Sequence, residues 1–526
     1  MKEESALHEN VILAHDLGTT GNKACLYDLS GKLIGSYYHP YETFYPRPGW
    51  AEQNPNDWWE AFVVSTKRVV SSAKVNPSRI IGISFSGHMM AGIPVDREGR
   101  VLQKRVFLWA DHRSQAQAEF VKERLGWENF YHRTGGGMEI ALYPIAKILW
   151  LKENEPETYN RAYKFLGTKD LLMHRLTGRF VTDFSDASNT GLLDLERKTW
   201  ATDMLAEVGI DDTKLPDEIL PSNTRVGSIE KEVSQETGLK EGTPVILGGG
   251  DVSCAALGAG VVEEGSVYNY IGSASWLAMA SSRPVFDDKM RPFTLCHVVP
   301  NMYVVQLATF SAGVVYAWVR DQICWLEVAS AERLGQNPFD WMSQEAATSV
   351  PGSRGLIFLP NLRPGGAPHN DLKARGALLG LTLAHKREDI LRAALEGITF
   401  NIRLLCEALE KQADTSFQEI RMIGGGSKSG LWREIEASIL NKRIATLSAQ
   451  QEANSLGAAI TAGVTLGVFE SFEKAAQQFI EVREITHPKK DMREVYDRQF
   501  LLFNKAYESL VPINDMLAET AAEEAA

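Results

Sequence analysis

Cysteine is scarce in this chain and nowhere clustered. Cys25, Cys254, Cys296, Cys324 and Cys406 lie at least 28 residues apart, and no CxxC pair occurs. That spacing excludes a zinc cluster or a disulfide framework and suits a reducing, cytoplasmic setting. Basic charge is short as well: 55 Lys and Arg against 67 Asp and Glu leave a formal net charge of -12. General nucleic-acid binding, which neutralises phosphates with Lys and Arg, is therefore not expected. A single nucleotide is still compatible, because a small site can be locally positive. No apolar run reaches the roughly 18 residues of a membrane span, so no membrane partner is expected. The first ten residues, MKEESALHEN, are polar and mixed in charge and do not read as a signal peptide. A G-x-x-x-x-G-K-S/T loop is absent, which excludes a Walker-type phosphate site. So is G-x-G-x-x-G after the first strand, which speaks against a dinucleotide oxidoreductase.

What is present is an ordinary soluble composition, 44% apolar and 23% charged, over 526 residues. That length exceeds what one core usually serves, so two large domains are expected. Strand-like runs alternate with helical patterns, the signature of an α/β fold. VILAHD (11–16) reads as a strand, and 23–39 as a hairpin turning at Ser30-Gly31. NPNDWWEAFVVSTKRVVSSA reads as a capped helix, IIGISFSG (80–87) as a buried strand and GIPVDREGRVL (92–102) as a second hairpin. TPVILGGGD (243–251) is a further apolar strand, followed by a small-residue helix and then by SVYNYIGSASW (266–276). A strand running into a hydroxyl- and glycine-rich turn thus occurs at 11–21 and again at 267–275. Two such halves suggest a duplicated unit around a cleft. The expected division is an extension over 1–10, domains over 11–255 and 256–485, and a C-terminal helix with a disordered acidic tail over 486–526.

Several segments could carry chemistry. In HDLGTTGNK, Gly18 and Gly21 allow backbone N–H groups to approach an anion, Thr19 and Thr20 add hydroxyls and Lys23 adds charge. Asp16 would repel a phosphate but can hold a hydrated Mg²⁺. The competing reading is a plain polar hairpin turn. Gly272, Ser273 and Ser275 offer a second turn that could grip a polyphosphate from the other side. Asp251 follows three glycines and could accept a proton from a substrate hydroxyl; it could equally cap the helix after it. Gly425 and Gly426 lie in a strand-to-helix turn able to lie flat against a nucleotide. FLWADHR sets Trp109, Asp111 and Arg113 on one segment, an aromatic face beside polar groups, as a sugar requires. SGHMMAG brings His88, Met89 and Met90 together, residues that also serve as core filling.

Taken in order, DLGTTGNK, GWAEQNPNDWW, TKDLLMHRLTG, TDFSDASNTGLLDL, GGGD, GALLGLTLAHKREDILRAALEG, GGGSKSGLW and EANSLGAAITAG resemble the FGGY family of carbohydrate kinases, in its xylulokinase-like branch. The resemblance covers about residues 11–485. It implies two ribonuclease H-like domains of the actin and hexokinase superfamily closing on a central cleft, with ATP mainly on the second domain and a small sugar mainly on the first. It implies Asp251 as catalytic base and substrate ligand, and Asp16 as the Mg²⁺-linked acid. Gly18, Thr19, Thr20 and Lys23 fall in one phosphate loop and Gly272 and Ser273 in the other. Gly425, Gly426 and Asn441 fall beside the adenosine. His88, Met89, Met90, Trp109 and Asp111 fall in the sugar pocket. The reaction implied is phosphoryl transfer from ATP to a ketopentose such as D-xylulose, with another ketose, an aldonate or a polyol as alternatives; a homodimer is compatible with it. An actin-like, nucleotide-driven structural protein is the reading from another class. The chain departs from the branch in having Met90 where an imidazole is usual, Val252 after the base, PGGAPHND at 364–371, and Glu434 and Ser438 in the adenosine helix. Loss of a polar partner at position 90 bears on which sugar is accepted.

Overall fold

The computed structural model describes residues 10–525 apart from 290, 364 and 449–451, with side chains described as far as 520. The extension expected over 1–10 lies outside the described residues except for Asn10.

Each half is built on one mixed sheet. In the first, β1 (Val11–Leu17), β2 (Gly21–Asp28) and β3 (Leu33–Pro40) form an antiparallel meander. β4 (Ile80–Gly87) then lies parallel to β1, beyond the crossover helix α1 (Pro55–Ser72). Pro55 at the first turn and Asn54, whose side chain accepts from the Asn56 N–H, start that helix. β1 and β4 are buried along nearly their whole length, because helices cover both faces, which is why both segments read as near-continuous apolar runs.

The run at 243–251, expected as one strand, is broken into β5 (Pro244–Ile246) and β6 (Gly249–Gly250), both parallel to β4. Gly248 between them has φ +68, and a Cβ there would meet the Phe85 carbonyl oxygen at 1.9 Å. Only glycine permits that crossing. α2 (Asp251–Gly258) follows at once.

The second half repeats the plan. β7 (Val267–Ile271) and β8 (Ser275–Ser281) form a hairpin, and β9 (Tyr303–Thr309) completes the meander. β10 (Glu419–Ile423) lies parallel to β7 and β11 (Arg443–Leu447) parallel to β10. The expected duplication is therefore present: a meander with parallel strands added beside its first strand. The segment 266–276 is a hairpin rather than one strand. α3 (Arg387–Ala413), a long helix with one strongly apolar face, backs this sheet. α4 (Gly430–Leu440) flanks its parallel strands, whereas α5 (Ala453–Thr465) packs on α2 and on the first sheet, with Leu456 and Ile460 against Ile12, Ala14 and Ile246. α6 (Arg493–Ala525) docks on α3, where Arg392 joins Glu396 and the Tyr496 hydroxyl. This helix runs on through the acidic end expected to be disordered. Among the described residues no helix is long and apolar enough to cross a membrane, and all five cysteines are buried free thiols.

Candidate active site

The two expected turns close the ends of β1 and β7. In the first, the Gly18 N–H donates to the Gly21 carbonyl at 3.0 Å. The loop is braced from outside: Gln53 Nε2 donates to the Thr19 carbonyl at 2.6 Å, Tyr38 to Thr20 Oγ1 at 2.9 Å, and Tyr41 to the Gly18 carbonyl. The N–H groups of Thr19 and Thr20 take no partner among the described residues, which leaves them available to an anion. In the second turn, the Gly272 N–H donates to the Ala274 carbonyl at 2.9 Å, while the Gly272 and Ser273 carbonyls accept from the N–H groups of Gly313 and Val314. The Ser273 N–H is likewise without a partner among the described residues. Ser275 is turned inward instead. It is buried, and its hydroxyl donates to Asn269, which in turn donates to Glu436 at 2.7 Å.

Asp16 and Asp251 converge. Asp16 pairs across to Ser86 on β4, and Gly249 pairs with the same Ser86 from the far side, so the two strand ends lie about 10 Å apart, two strand spacings. Asp16 Oδ1 accepts from Ser86 Oγ at 3.0 Å and from Asn454 Nδ2 at 3.2 Å. Its Oδ2 takes no hydrogen bond from the described residues. Burial raises its pKa against the pull of those donors and of Lys23. Asp251 opens α2, and its Oδ1 accepts the Val252 N–H at 2.8 Å. Burial, reinforced by the negative charge of Asp16, pushes its pKa up to about 7. A carboxylate poised there can take a proton at neutral pH.

The three glycines before Asp251 admit close neighbours. A Cβ on Gly249 would lie 2.7 Å from Ser185 Oγ, and one on Gly250 only 2.1 Å from Met89 Sδ. Met89 thus covers the strand end beside the carboxylate. Met90, with φ +66, is turned away into a small cavity shared with Gly92, Asp170, Asp186 and Thr190. Trp109 is half-buried and donates from Nε1 to Thr19 Oγ1 at 3.1 Å, joining the aromatic segment to the first turn.

Three further expected site residues are placed elsewhere. Asp111 is fully buried. Its oxygens accept from the Ala51 N–H at 2.7 Å and from the backbone N–H, Nε and Nη2 of Arg113, which stacks on Trp50 and Phe107. No oxygen is left for a sugar. His88 is buried edge-on against Trp58, and its Nδ1 shares a hydrogen with Thr168 Oγ1 at 3.3 Å. Burial, helped by the Lys147 ammonium, drops its pKa to about 3, so it is a neutral, buried imidazole, with Nε2 without a partner among the described residues. Asn441 is the exposed left-handed cap of α4, at φ 53. It is about 16 Å along that helix from the glycine turn, taking 1.5 Å per residue. Gly425 and Gly426 lie at the end of β7: a Cβ on Gly426 would strike Ile271 at 2.6 Å, so this turn packs beside Gly272. Lys23 reaches Glu452 of the second half at 3.7 Å.

Other residues at the site went unread in the sequence. Lys147, fully buried, donates to the Met90 carbonyl at 2.9 Å and the Leu108 carbonyl at 2.6 Å, tying both pocket segments together. Asn189 is buried with Nδ2 on Met89 Sδ at 3.7 Å and Oδ1 without a partner among the described residues. Tyr270 and Trp276 stack at 4.0 Å, and Trp276 Nε1 donates to Tyr268 at 3.0 Å. A lysine inside the apolar run PIAKILWL (144–151) was the one visible signal; the rest are tertiary meetings.

A family model described as the N-terminal domain of the FGGY family of carbohydrate kinases matches residues 11–258, and the corresponding C-terminal domain model matches residues 267–466. The chain is 31% identical to a xylulose kinase of Staphylococcus epidermidis over 95% of its own length and 97% of that protein. It is also 31% identical to a gluconokinase of Bacillus subtilis, over 88% of its length and 89% of that protein. Its fold superposes on that of a ligand-bound xylulose kinase from Lactobacillus acidophilus with TM-score 0.87 and 28% identity, covering 95% of this chain and 98% of the other.

Proposed function

Since this chain belongs to the FGGY family of carbohydrate kinases, we propose that its sugar is a small neutral ketose, D-xylulose first, and that Asp251 takes the proton from the hydroxyl that receives the γ-phosphate of ATP. The observation that carries this reading is the convergence of Asp251, with its pKa lifted to about 7, and Asp16 at the same end of the first sheet, two strand spacings apart. Asp251 would orient the hydroxyl and accept its proton late, as the bond to phosphorus forms. The unpartnered N–H groups of Thr19, Thr20 and Ser273 would receive phosphate oxygens from the two sides of the cleft. Asp16 would hold the Mg²⁺ that accompanies ATP, which supplies neutralisation of phosphate charge; its open Oδ2 suits that role. Gly425 and Gly426 would flank the nucleoside, while Met89 and Trp109 line the sugar.

A neutral sugar suits the pocket better than an aldonate. The two lysines behind it, Lys147 and Lys169, are both fully buried and engaged, one by carbonyls and the other by carboxylates. Neither is free to meet a substrate carboxylate. A panel of ketoses, polyols and aldonates in a coupled ADP-release assay tests the substrate. The highest kcat/KM is expected for a ketopentose, and gluconate as the best substrate would overturn the choice. Asp251→Asn tests the base: turnover is expected to fall by at least about a hundredfold, the usual weight of general-base catalysis, with ATP binding retained. A variant keeping more than about a tenth of the wild-type rate would remove Asp251 from that role.

A further inference from the structure

Beneath the strand end that carries Asp251 lies a cluster of four buried ionisable groups that the phosphoryl transfer does not itself require. Lys169 is fully buried, and its Nζ lies 2.7 Å from Asp170 Oδ1, 3.1 Å from Asp183 Oδ1 and 3.4 Å from Asp186 Oδ2. Burial works against the ammonium, and the three carboxylates overcome it and hold it charged. Burying such a group is a poor way to gain stability, since apolar replacements often do as well. Its geometry suggests what it is for. Asp183 Oδ2, the oxygen turned away from Lys169, accepts from the Ser185 N–H at 2.9 Å, from Ser185 Oγ and from Ser222 Oγ at 2.7 Å. Ser185 Oγ in turn accepts the Gly250 N–H at 2.9 Å. Gly250 immediately precedes Asp251, and its strand partner Gly87 leaves room for Lys169, since a Cβ there would lie 3.1 Å from Lys169 Cβ.

We propose that Lys169 and Asp183 are positioning residues for Asp251, acting through the Ser185 hydroxyl and the Gly250 N–H. The ammonium fixes the Asp183 carboxylate, the carboxylate orients the hydroxyl so that its lone pair faces β6, and the hydroxyl holds the peptide from which Asp251 springs. The Ser185 hydroxyl and the Gly250 N–H each have a single acceptor here, which holds the backbone before the base in place. Serine at 185 and glycine at 249 are thereby linked: the hydroxyl reaches Gly250 only because residue 249 has no side chain.

The proposal rests on Asp251 being the base, and the experiment separates the two. In wild-type background, Ser185→Ala is expected to lower kcat about ten- to a hundredfold, the scale on which small displacements of a reacting group act, with the KM values for ATP and sugar unchanged. Ser222→Ala removes a hydroxyl from the same carboxylate oxygen without touching Gly250 and should keep wild-type kcat. In an Asp251→Asn background, Ser185→Ala should add less than about a twofold further loss, because residues acting as a unit are not additive. Ser185→Cys, of similar shape with a poor acceptor, gives the same reading if the alanine variant does not fold. A Ser185→Ala enzyme with more than half the wild-type kcat, an equal loss in Ser222→Ala, or a full further loss in the Asp251→Asn background would overturn the relay while leaving the base assignment intact. An active Asp251→Asn enzyme would remove both.

Discussion

Asp251 couples its environment to a pH dependence. Its folded-state pKa of about 7 lies well above the roughly 4 of an unfolded aspartate. The base must be ionised to work, so kcat/KM is expected to rise about tenfold per pH unit up to about 7 and then level off. Stability runs the other way. Between pH 4 and about 7 the folded chain holds a proton that the unfolded chain has released, so this group's contribution is full below about 4 and is lost as pH rises through about 7. Asp251→Asn removes that slope. Thermal unfolding at about pH 5 and pH 8 should therefore show the variant gaining on wild type at the higher pH; equal shifts at both would mean that Asp251 is ionised throughout. At this same scale, His88 and Asp111 show the limit of reading residue types from sequence. A histidine and an aspartate beside a pocket loop look like ligands, yet a carboxylate whose oxygens already face Arg113 and the Ala51 N–H has nothing to offer a sugar.

Elements whose signal is local were legible. The turns at 18–20 and 272–274, the meanders around them and the helix at Arg387–Ala413 follow from apolar periodicity and from glycine and hydroxyl residues at strand ends, which constrain the chain within a few residues. What was not legible depends on partners far away in sequence: Ser185 under Gly250, Asn189 on Met89, Lys147 between two carbonyls, and the crossing at Gly248 that splits one apolar run into two strands. Asn441 belongs to the same lesson. Its place in a segment resembling an adenosine-binding region suggested a ligand, while its left-handed backbone at the end of α4 makes it a cap, the one conformation in which Asn replaces Gly readily. Asn441→Ala is accordingly expected to cost about 1 kcal/mol of stability, the penalty of a left-handed residue with an ordinary Cβ, and Asn441→Gly to cost nothing. Both should leave the KM for ATP unchanged in a coupled assay; a rise of severalfold in both would restore the residue to the nucleotide site.

The whole molecule depends on how its two halves meet, and two helices of small residues make a central part of that meeting, beside the packing of Phe293 and Leu295 on the first half. α2 and α5 approach until backbone touches backbone: a Cβ on Gly258 would lie 1.8 Å from the Ala453 carbonyl oxygen, and one on Gly457 would lie 2.0 Å from the Cys254 carbonyl oxygen. The beginning of α5 also reaches across to the first sheet, with Asn454 on Asp16, Ser455 on the Tyr27 hydroxyl at 2.9 Å and Glu452 toward Lys23. The packing of this one pair therefore bears on where the second half, with Asn454, sits against the two carboxylates of the first half. A methyl group at position 457 cannot be absorbed by a side-chain rotation, because what it meets is backbone. Gly457→Ala should thus cost about 1–3 kcal/mol, as overpacking does, and should lower kcat/KM even at temperatures where the variant is folded, since the helices must part and carry Asn454 with them. Gly430→Ala is the matched comparison: it opens α4, a Cβ there has only the end of Arg433 at 3.7 Å, and it should be neutral or mildly stabilising. Equal melting temperatures and equal kcat/KM for the two variants would show that the close approach of α2 and α5 leaves slack, and that the alignment of the halves is held elsewhere.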